Sequence, residues 1–302
     1  MICNLCPRHC NALRTQTQGQ GFCGMGTQPV IARAARHFWE EPCISGDRGS
    51  GTVFFCGCSL GCLFCQNHSI SHGELQGRRL TATELSELFT RVEAMGVHNL
   101  NLVSPSHFAP AVLEALALRK PNIPVVWNSS GYESPETIRE ARGLVDVFLP
   151  DLKYAKATTA AQLASAPDYF PVALAAIRAM CEQTGAPVYD AAGMMLSGTL
   201  VRHLVLPMRV DETITLLNTI ASELPPGTPV SLMRQYTPMN GITVKGMDRR
   251  LTEREYARAR DQLFALGLDG YLQQKEAATS AFTPAFMDEE STLLFSDLGH
   301  PA

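Results

Sequence analysis

The chain has 302 residues, 45% of them hydrophobic and 18% charged, with a net charge of −4 and a pI near 6.1. That composition builds one large core, or a core with a small appendage, and supplies no basic field for a nucleic-acid backbone. It contains no stretch of roughly 20 apolar residues that would cross a bilayer and opens on Met1-Ile2-Cys3-Asn4-Leu5-Cys6-Pro7 without a secretory apolar core, so a cytoplasmic protein with no nucleic-acid or membrane partner is expected.

Residues 1 to about 45 are rich in cysteine and glycine and poor in apolar runs, as expected of an irregular segment held together by a bound metal. From Thr52 onward short apolar runs alternate with stretches of helical period. A strand is predicted over Thr52–Phe55, then a helix over Leu80–Met95 opened by a Thr81/Glu84 capping box. Strand Asn99–Val103 and a helix from about Pro110 follow, then strand Ile123–Trp127 and a helix opened by Ser134 with Pro135 at its first position. Next come strand Val145–Leu149, a helical stretch over Ala157–Met180, strand Leu200–Leu206, helix Asp211–Ser222 and strand Val230–Arg234. A last helix starts at Thr252, with Glu255 completing its box.

Six strands alternating with helices imply an α/β fold of parallel strands joined by right-handed crossovers. The predicted architecture is a partial (β/α)6 barrel over residues 46–245, preceded by a cysteine-rich segment, 1–45, and followed by a helical extension, 246–302. In such a sheet the ligand site lies at the C-terminal strand ends. The polar residues there, Cys58 to Cys65, Ser104 to His107, Asn128 to Tyr132 and Asp151 to Lys153, should converge on one mouth.

Ten cysteines in a reducing compartment read as metal ligands rather than disulfides, and nine of them precede residue 66. Cys58, Cys62 and Cys65 form a C-x3-C-x2-C array directly after the first predicted strand. Soft thiolates at this spacing can wrap one iron–sulfur cluster, and Gly57 and Gly61 let the backbone bend around it. Three thiols rather than four leave one iron open to a substrate or cofactor. Cys56 lies outside this spacing and reads as a strand-end residue; the competing reading of the whole array is a zinc knuckle or buried free cysteines.

This array after the first strand of a partial barrel resembles the radical S-adenosylmethionine superfamily, and Phe64 matches the aromatic found before its third cysteine. The likeness extends over roughly residues 36 to 240 to the activating enzymes of glycyl radical enzymes, of the pyruvate formate-lyase activase kind. Asn128-Ser129-Ser130-Gly131-Tyr132 resembles their Asp-Thr-Asn/Ser-Gly-aromatic turn, Asp151-Leu152-Lys153 their Asp-x-Lys strand end, and Val201-Arg202-His203-Leu204-Val205-Leu206-Pro207 their Ile-Arg-Tyr-Val-Val-Val-Pro strand. The resemblance implies a [4Fe–4S] cluster on Cys58, Cys62 and Cys65 that cleaves S-adenosylmethionine reductively to a 5′-deoxyadenosyl radical, with reduced flavodoxin or ferredoxin as electron donor and a glycyl radical enzyme as candidate partner. It implies that Lys153 and Arg202 meet the cofactor's carboxylate or ribose, that Leu204 packs on adenine, and that Asn128, Ser129 and Asp151 surround the site. In the activases that last group holds a monovalent cation, for which Asn128 in place of aspartate is a weaker ligand. Where the superfamily has Gly-Gly-Glu after its second strand, this chain has Ser104-Pro105-Ser106-His107, so Ser104 and Ser106 would have to accept from the cofactor's ammonium. His107 reads equally as a packing residue or as an acid/base.

Cys3, Cys6, Cys10 and Cys23 form C-x2-C-x3-C-x12-C, four soft ligands in a segment too small for its own core, and read as a second metal site for zinc or iron. A similar leader accompanies uncharacterised activase relatives. Cys43 is a spare ligand or a small buried hydrophobe, and Cys181 reads as core. Two functions compete with an activase: radical chemistry on a small molecule or peptide, and, from another class, a non-catalytic iron–sulfur or zinc module for electron transfer or binding. The second leaves Asn128 to Tyr132, Asp151-x-Lys153 and Val201 to Pro207 without a purpose.

Overall fold

The computed structural model describes residues 2–72, 76–239, 241–273, 286 and 288–301. Strand β1 (Val30–His37) runs antiparallel to β2 (Ser50–Phe55), and the short helix α1 (Pro42–Ser45) lies in the connection between them. Helix α2 (Ala82–Ala94) starts at Thr81, whose hydroxyl accepts from the Glu84 N–H while the Glu84 carboxylate accepts from the Thr81 N–H, the expected capping box. There follow β3 (Leu100–Val103), α3 (Ala109–Leu118), β4 (Val125–Ser129), α4 (Pro135–Glu140) and β5 (Val147–Pro150). The next elements are α5 (Ala157–Ala164), α6 (Tyr169–Thr184), β6 (Met195–Thr199), β7 (Val201–Leu204), α7 (Val210–Glu223) and β8 (Val230–Met233). Helix α8 (Glu253–Ala265), again behind a capping box, leads to β9 (Gly270–Leu272).

Strands β2 to β6 are parallel neighbours in chain order, and β7, β8 and β9 form a second parallel set. One passage of chain joins the two. It pairs Thr199 with Phe148, sends the Leu200 N–H to the Phe148 carbonyl, pairs Arg202 with Asp151, and then leaves β5 for β8. The outcome is the expected partial α/β barrel, with β6 and β9 as parallel strands beyond the six expected.

Period two along the strands separates its faces. Phe55, Trp127 and Phe148 point outward into a large core shared with the helices. Val126, Val147, Leu149 and Met195 point inward and pack on Cys43 and Ile44 of α1 together with Leu200, so that α1 plugs the interior. Among the described residues no helix is long and apolar enough to cross a membrane.

Two features depart from expectation. Strand β1 lies within the stretch expected to be irregular; its first six residues, Val30-Ile31-Ala32-Arg33-Ala34-Ala35, are all buried and lack the alternation that marks a one-sided strand. The boundary placed at residue 45 thus falls behind a strand of the main sheet. The helix expected over 157–180 is two helices, α5 and α6, because Ser165 turns left-handed at φ 50° and Pro167 disfavours helical backbone at the residue before it.

The plug supplies a test. Ile44 is fully buried, and Ile44→Ala should cost about 2–5 kcal/mol through lost contacts and an unfilled cavity. Urea unfolding should show a lowered midpoint with an unchanged slope.

Candidate active site

The cysteine loop leaves the C-terminal end of β2 and turns twice through left-handed glycines, Gly57 at φ 82° and Gly61 at φ 71°. Any side chain at Gly57 would meet Met25, the Cys23 carbonyl and the His107 ring; at Gly61 it would meet Phe22. The loop is pressed against the N-terminal leader, and glycine is the residue that permits the approach. Cys58, Cys62 and Cys65 all face one cavity of about 230 Å³. Each sulfur has its own donor: the Leu60 N–H to Cys58 Sγ (3.3 Å), the Tyr154 hydroxyl to Cys62 Sγ (3.3 Å) and the Ser71 hydroxyl to Cys65 Sγ (3.5 Å). Burial pushes the Cys62 thiol up to about 12 and raises that of Cys65. Ligation at these positions therefore releases protons.

Inward positions of successive strands form the opposite wall, where Asn128, Asp151, Lys153, Arg202, Leu204 and Met233 line the same cavity. Arg202 organises them. Its Nε donates to Asp151 (3.0 Å), one terminal nitrogen to Glu40 (3.1 Å) and the other to the Asn128 side-chain oxygen (2.6 Å), while Asn128 Nδ2 donates to Glu40 (3.1 Å). Lys153 pairs with the other oxygen of Asp151. Burial pushes the Asp151 carboxyl up, but the Arg202 and Lys153 cations more than offset this and hold it below the ordinary range. Glu40 moves the other way: burial raises it and the Asp151 charge adds to the rise, with Arg202 offsetting only part.

Of the residues singled out from sequence, Phe64, Ser104, Asn128, Ser129, Asp151, Lys153, Arg202 and Leu204 share this cavity with the three cysteines. Ser106 stays behind it. The buried Glu133 carboxylate accepts hydrogen bonds from Ser106 Oγ, Trp127 Nε1 and Ser129 Oγ, so the hydroxyl hydrogens of both serines point away from the mouth. His107 also lies elsewhere, buried beneath the cysteine loop with Nε2 donating to the Cys56 carbonyl, and burial pushes it down to about 4. Cys56 turns aside and contacts the Gln76 carbonyl through Sγ; Cys43 and Cys181 are buried.

Glu40 escaped notice in the sequence because it follows β1, far from the strand ends that the fold rule marks. Its only local signal is an acidic pair before Pro42. Glu133 was equally silent, since a buried carboxylate is recognisable only from the donors around it.

A partial barrel with three thiols after its first parallel strand, facing a set of paired carboxylates and cations, defines the class: an α/β barrel protein with a thiolate-lined mouth. The family model of the Radical SAM superfamily matches residues 52–196. An uncharacterized protein of Methanocaldococcus jannaschii is 26% identical over 276 residues, 88% of this chain and 75% of its own length. SuiB of Streptococcus suis, solved with bound S-adenosylmethionine, is similar over 72% of this chain and 48% of its own, at 13% identity and a TM-score of 0.47. A radical SAM methyltransferase from Sphaerobacter thermophilus is similar over 74% of this chain and 66% of its own (17% identity, TM-score 0.44). A domain of the pyruvate-formate lyase-activating enzyme of Bacteroides vulgatus is similar over 64% of this chain and 91% of its own (15% identity, TM-score 0.35). This chain spans about half the length of SuiB.

The superfamily implies a [4Fe–4S] cluster and S-adenosylmethionine. The residues present fit both: three thiols with one donor each, and a cavity edged with paired charges that can receive a zwitterion.

The strand that carries Arg202 supplies a pH test. His203 is buried with Nδ1 donating to the Leu152 carbonyl (2.6 Å) and Nε2 accepting from Thr213 (2.9 Å), and burial lowers it from 6.5 to about 4. As pH falls through 6.5 the unfolded chain takes up a proton that the folded chain refuses until about 4. Its stabilising contribution is whole above that window and lost across it. In His203→Gln the slope of unfolding free energy against pH should be shallower there, by at most about 1.4 kcal/mol per pH unit.

Proposed function

We propose that this protein is a radical enzyme that binds a [4Fe–4S] cluster through Cys58, Cys62 and Cys65 and S-adenosylmethionine in the adjoining cavity, and that it abstracts a hydrogen atom from its substrate. The observation that carries this reading is that the three thiols and the Asp151–Lys153–Arg202–Glu40 charge set face each other across one cavity. When bound, such a cluster would supply the one electron that reductive cleavage of S-adenosylmethionine requires.

The chain's own residues hold the cofactor. Lys153, paired only along one side with Asp151, offers its ammonium to the carboxylate. Glu40 presents a carboxylate from the plug side and serves the ammonium in place of the missing Gly-Gly-Glu glutamate. Leu204 and the buried Phe64, braced edge-on by Tyr154 and Tyr236, give apolar wall to the adenine. The Ser129 hydroxyl gives its hydrogen to Glu133 and accepts from the Gly131 N–H, which leaves it one lone pair as an acceptor. Reduced flavodoxin or ferredoxin is the proposed electron donor, and a glycyl radical enzyme the proposed partner.

Anaerobically reconstituted protein with reductant and S-adenosylmethionine should release 5′-deoxyadenosine. Cys58→Ala, Cys62→Ala and Cys65→Ala should each abolish this and the cluster's spin signal, while Cys56→Ala retains both. Protein with an intact cluster on this loop that never cleaves the cofactor would overturn the reading.

Lys153→Ala should keep the cluster and weaken cofactor affinity on the order of tenfold to a hundredfold, the loss of one charge-assisted hydrogen bond of about 1.5–3 kcal/mol. Titration of the cluster's spin signal measures it. Arg202→Ala is the poorer probe, because it also leaves Asp151 and Glu40 buried without their shared cation.

A further inference from the structure

The three thiols of the barrel loop are not served alike. Cys58 Sγ accepts from the Leu60 N–H, a donor that the loop's own backbone supplies whatever side chain stands at that position. Cys65 Sγ meets the Ser71 hydroxyl at 3.5 Å, but that hydroxyl also faces the His68 carbonyl at 3.4 Å, so its hydrogen is shared. Cys62 Sγ receives a side-chain hydroxyl from 92 positions along the chain, Tyr154 Oη at 3.3 Å. Among the described residues this is the one hydrogen bond that the Tyr154 hydroxyl makes.

Packing holds that hydroxyl in place. Tyr154 is buried, and its ring stands edge-on to Phe64, with centroids 6.4 Å apart and 80° between the planes, and to Tyr169 at 5.1 Å and 71°. The Tyr169 hydroxyl in turn faces the carbonyls of Ser130 and Asp151 and accepts from the Lys153 N–H, which pins the segment on which Tyr154 sits. Along that segment Asp151 serves Arg202, Lys153 presents its ammonium to the cavity, and Tyr154 serves the thiol.

A hydrogen bond to a ligating sulfur favours the more negative, reduced state of an iron–sulfur centre over the oxidised one, and so raises its reduction potential. We infer that Tyr154 is a positioning residue that acts through Cys62: its hydroxyl sets the reduction potential of the cluster proposed for this loop and makes that cluster easier to reduce than thiolate ligation alone would. The inference rests on the cluster ligation proposed above and adds to it a residue outside the C-x3-C-x2-C array. Because the donor comes from the residue after Lys153, the segment that holds the cofactor also conditions the centre that delivers its electron.

The test is a redox titration of the full-length, anaerobically reconstituted protein, followed by the spin signal of the reduced cluster. Tyr154→Phe removes one oxygen and keeps the ring that Phe64 and Tyr169 pack against. It should retain the parental iron and sulfide content. At a fixed solution potential its ratio of reduced to oxidised cluster should fall roughly threefold to tenfold, a midpoint about 30–60 mV more negative for a one-electron couple. Ser71→Ala, which removes the longer and shared donor, should shift the midpoint less. Tyr154→3-fluorotyrosine keeps both ring and hydroxyl and makes a stronger donor, so its midpoint should move the other way; it decides the matter if Tyr154→Phe holds no cluster. A full cluster at the parental midpoint in either Tyr154 variant overturns the inference, as does a shift in Ser71→Ala as large as that in Tyr154→Phe, and each of these leaves the proposed function standing. A parent that reconstitutes no cluster, or that keeps its cluster in Cys62→Ala, removes the proposed function and this inference with it.

Discussion

One buried guanidinium holds the mouth of this barrel together. Arg202 reaches Asp151 at the end of β5, Asn128 on β4 and Glu40 ahead of the plug, so three segments distant in sequence meet on one side chain. Planar, multiply donating geometry is what arginine offers and lysine does not. With Lys153 on the far oxygen of Asp151, two cations are paired with two carboxylates, and a third buried carboxylate, Glu41, also lies within the field of Arg202. Burying Asp151, Glu40, Lys153 and Arg202 is tolerable because each has an oppositely charged partner.

The loop of thiols opposite is shaped by a different constraint, close packing on the leader. Gly57 and Gly61 are needed less for flexibility than for room, since Met25, Cys23, His107 and Phe22 occupy the space a side chain would take. Leader and loop are in this sense one structure. β1, directly after the leader, belongs to the main sheet.

Much of this was legible in the sequence where the signal is local. The capping boxes at Thr81 and Thr252, the alternation of short apolar runs with helical stretches, and the spacing of Cys58, Cys62 and Cys65 each depend on residues a few positions apart. Placing polar residues at strand ends follows from topology and brought Asn128, Asp151, Lys153 and Arg202 to one cavity. What escaped was long-range or disguised. Strand β1 is buried throughout and shows no period; α1 has only four residues; Glu40 and Glu133 gain their meaning from partners on other elements. Ser106 and His107 occupy the right segment, yet the turn through Ser104, at φ 60°, and the pull of Glu133 direct Ser106 away from the mouth.

Glu40 lies two residues before the plug helix, which couples the sealing of the interior to the charge at the mouth. If α1 is withdrawn from the interior, a carboxylate leaves the mouth with it, and Arg202 loses one of its three anchors. A half-closed barrel is therefore a chemically unfinished one. The polar cradle is complete only when the apolar interior is sealed, so an open interior would cost the mouth a charge as well as its packing.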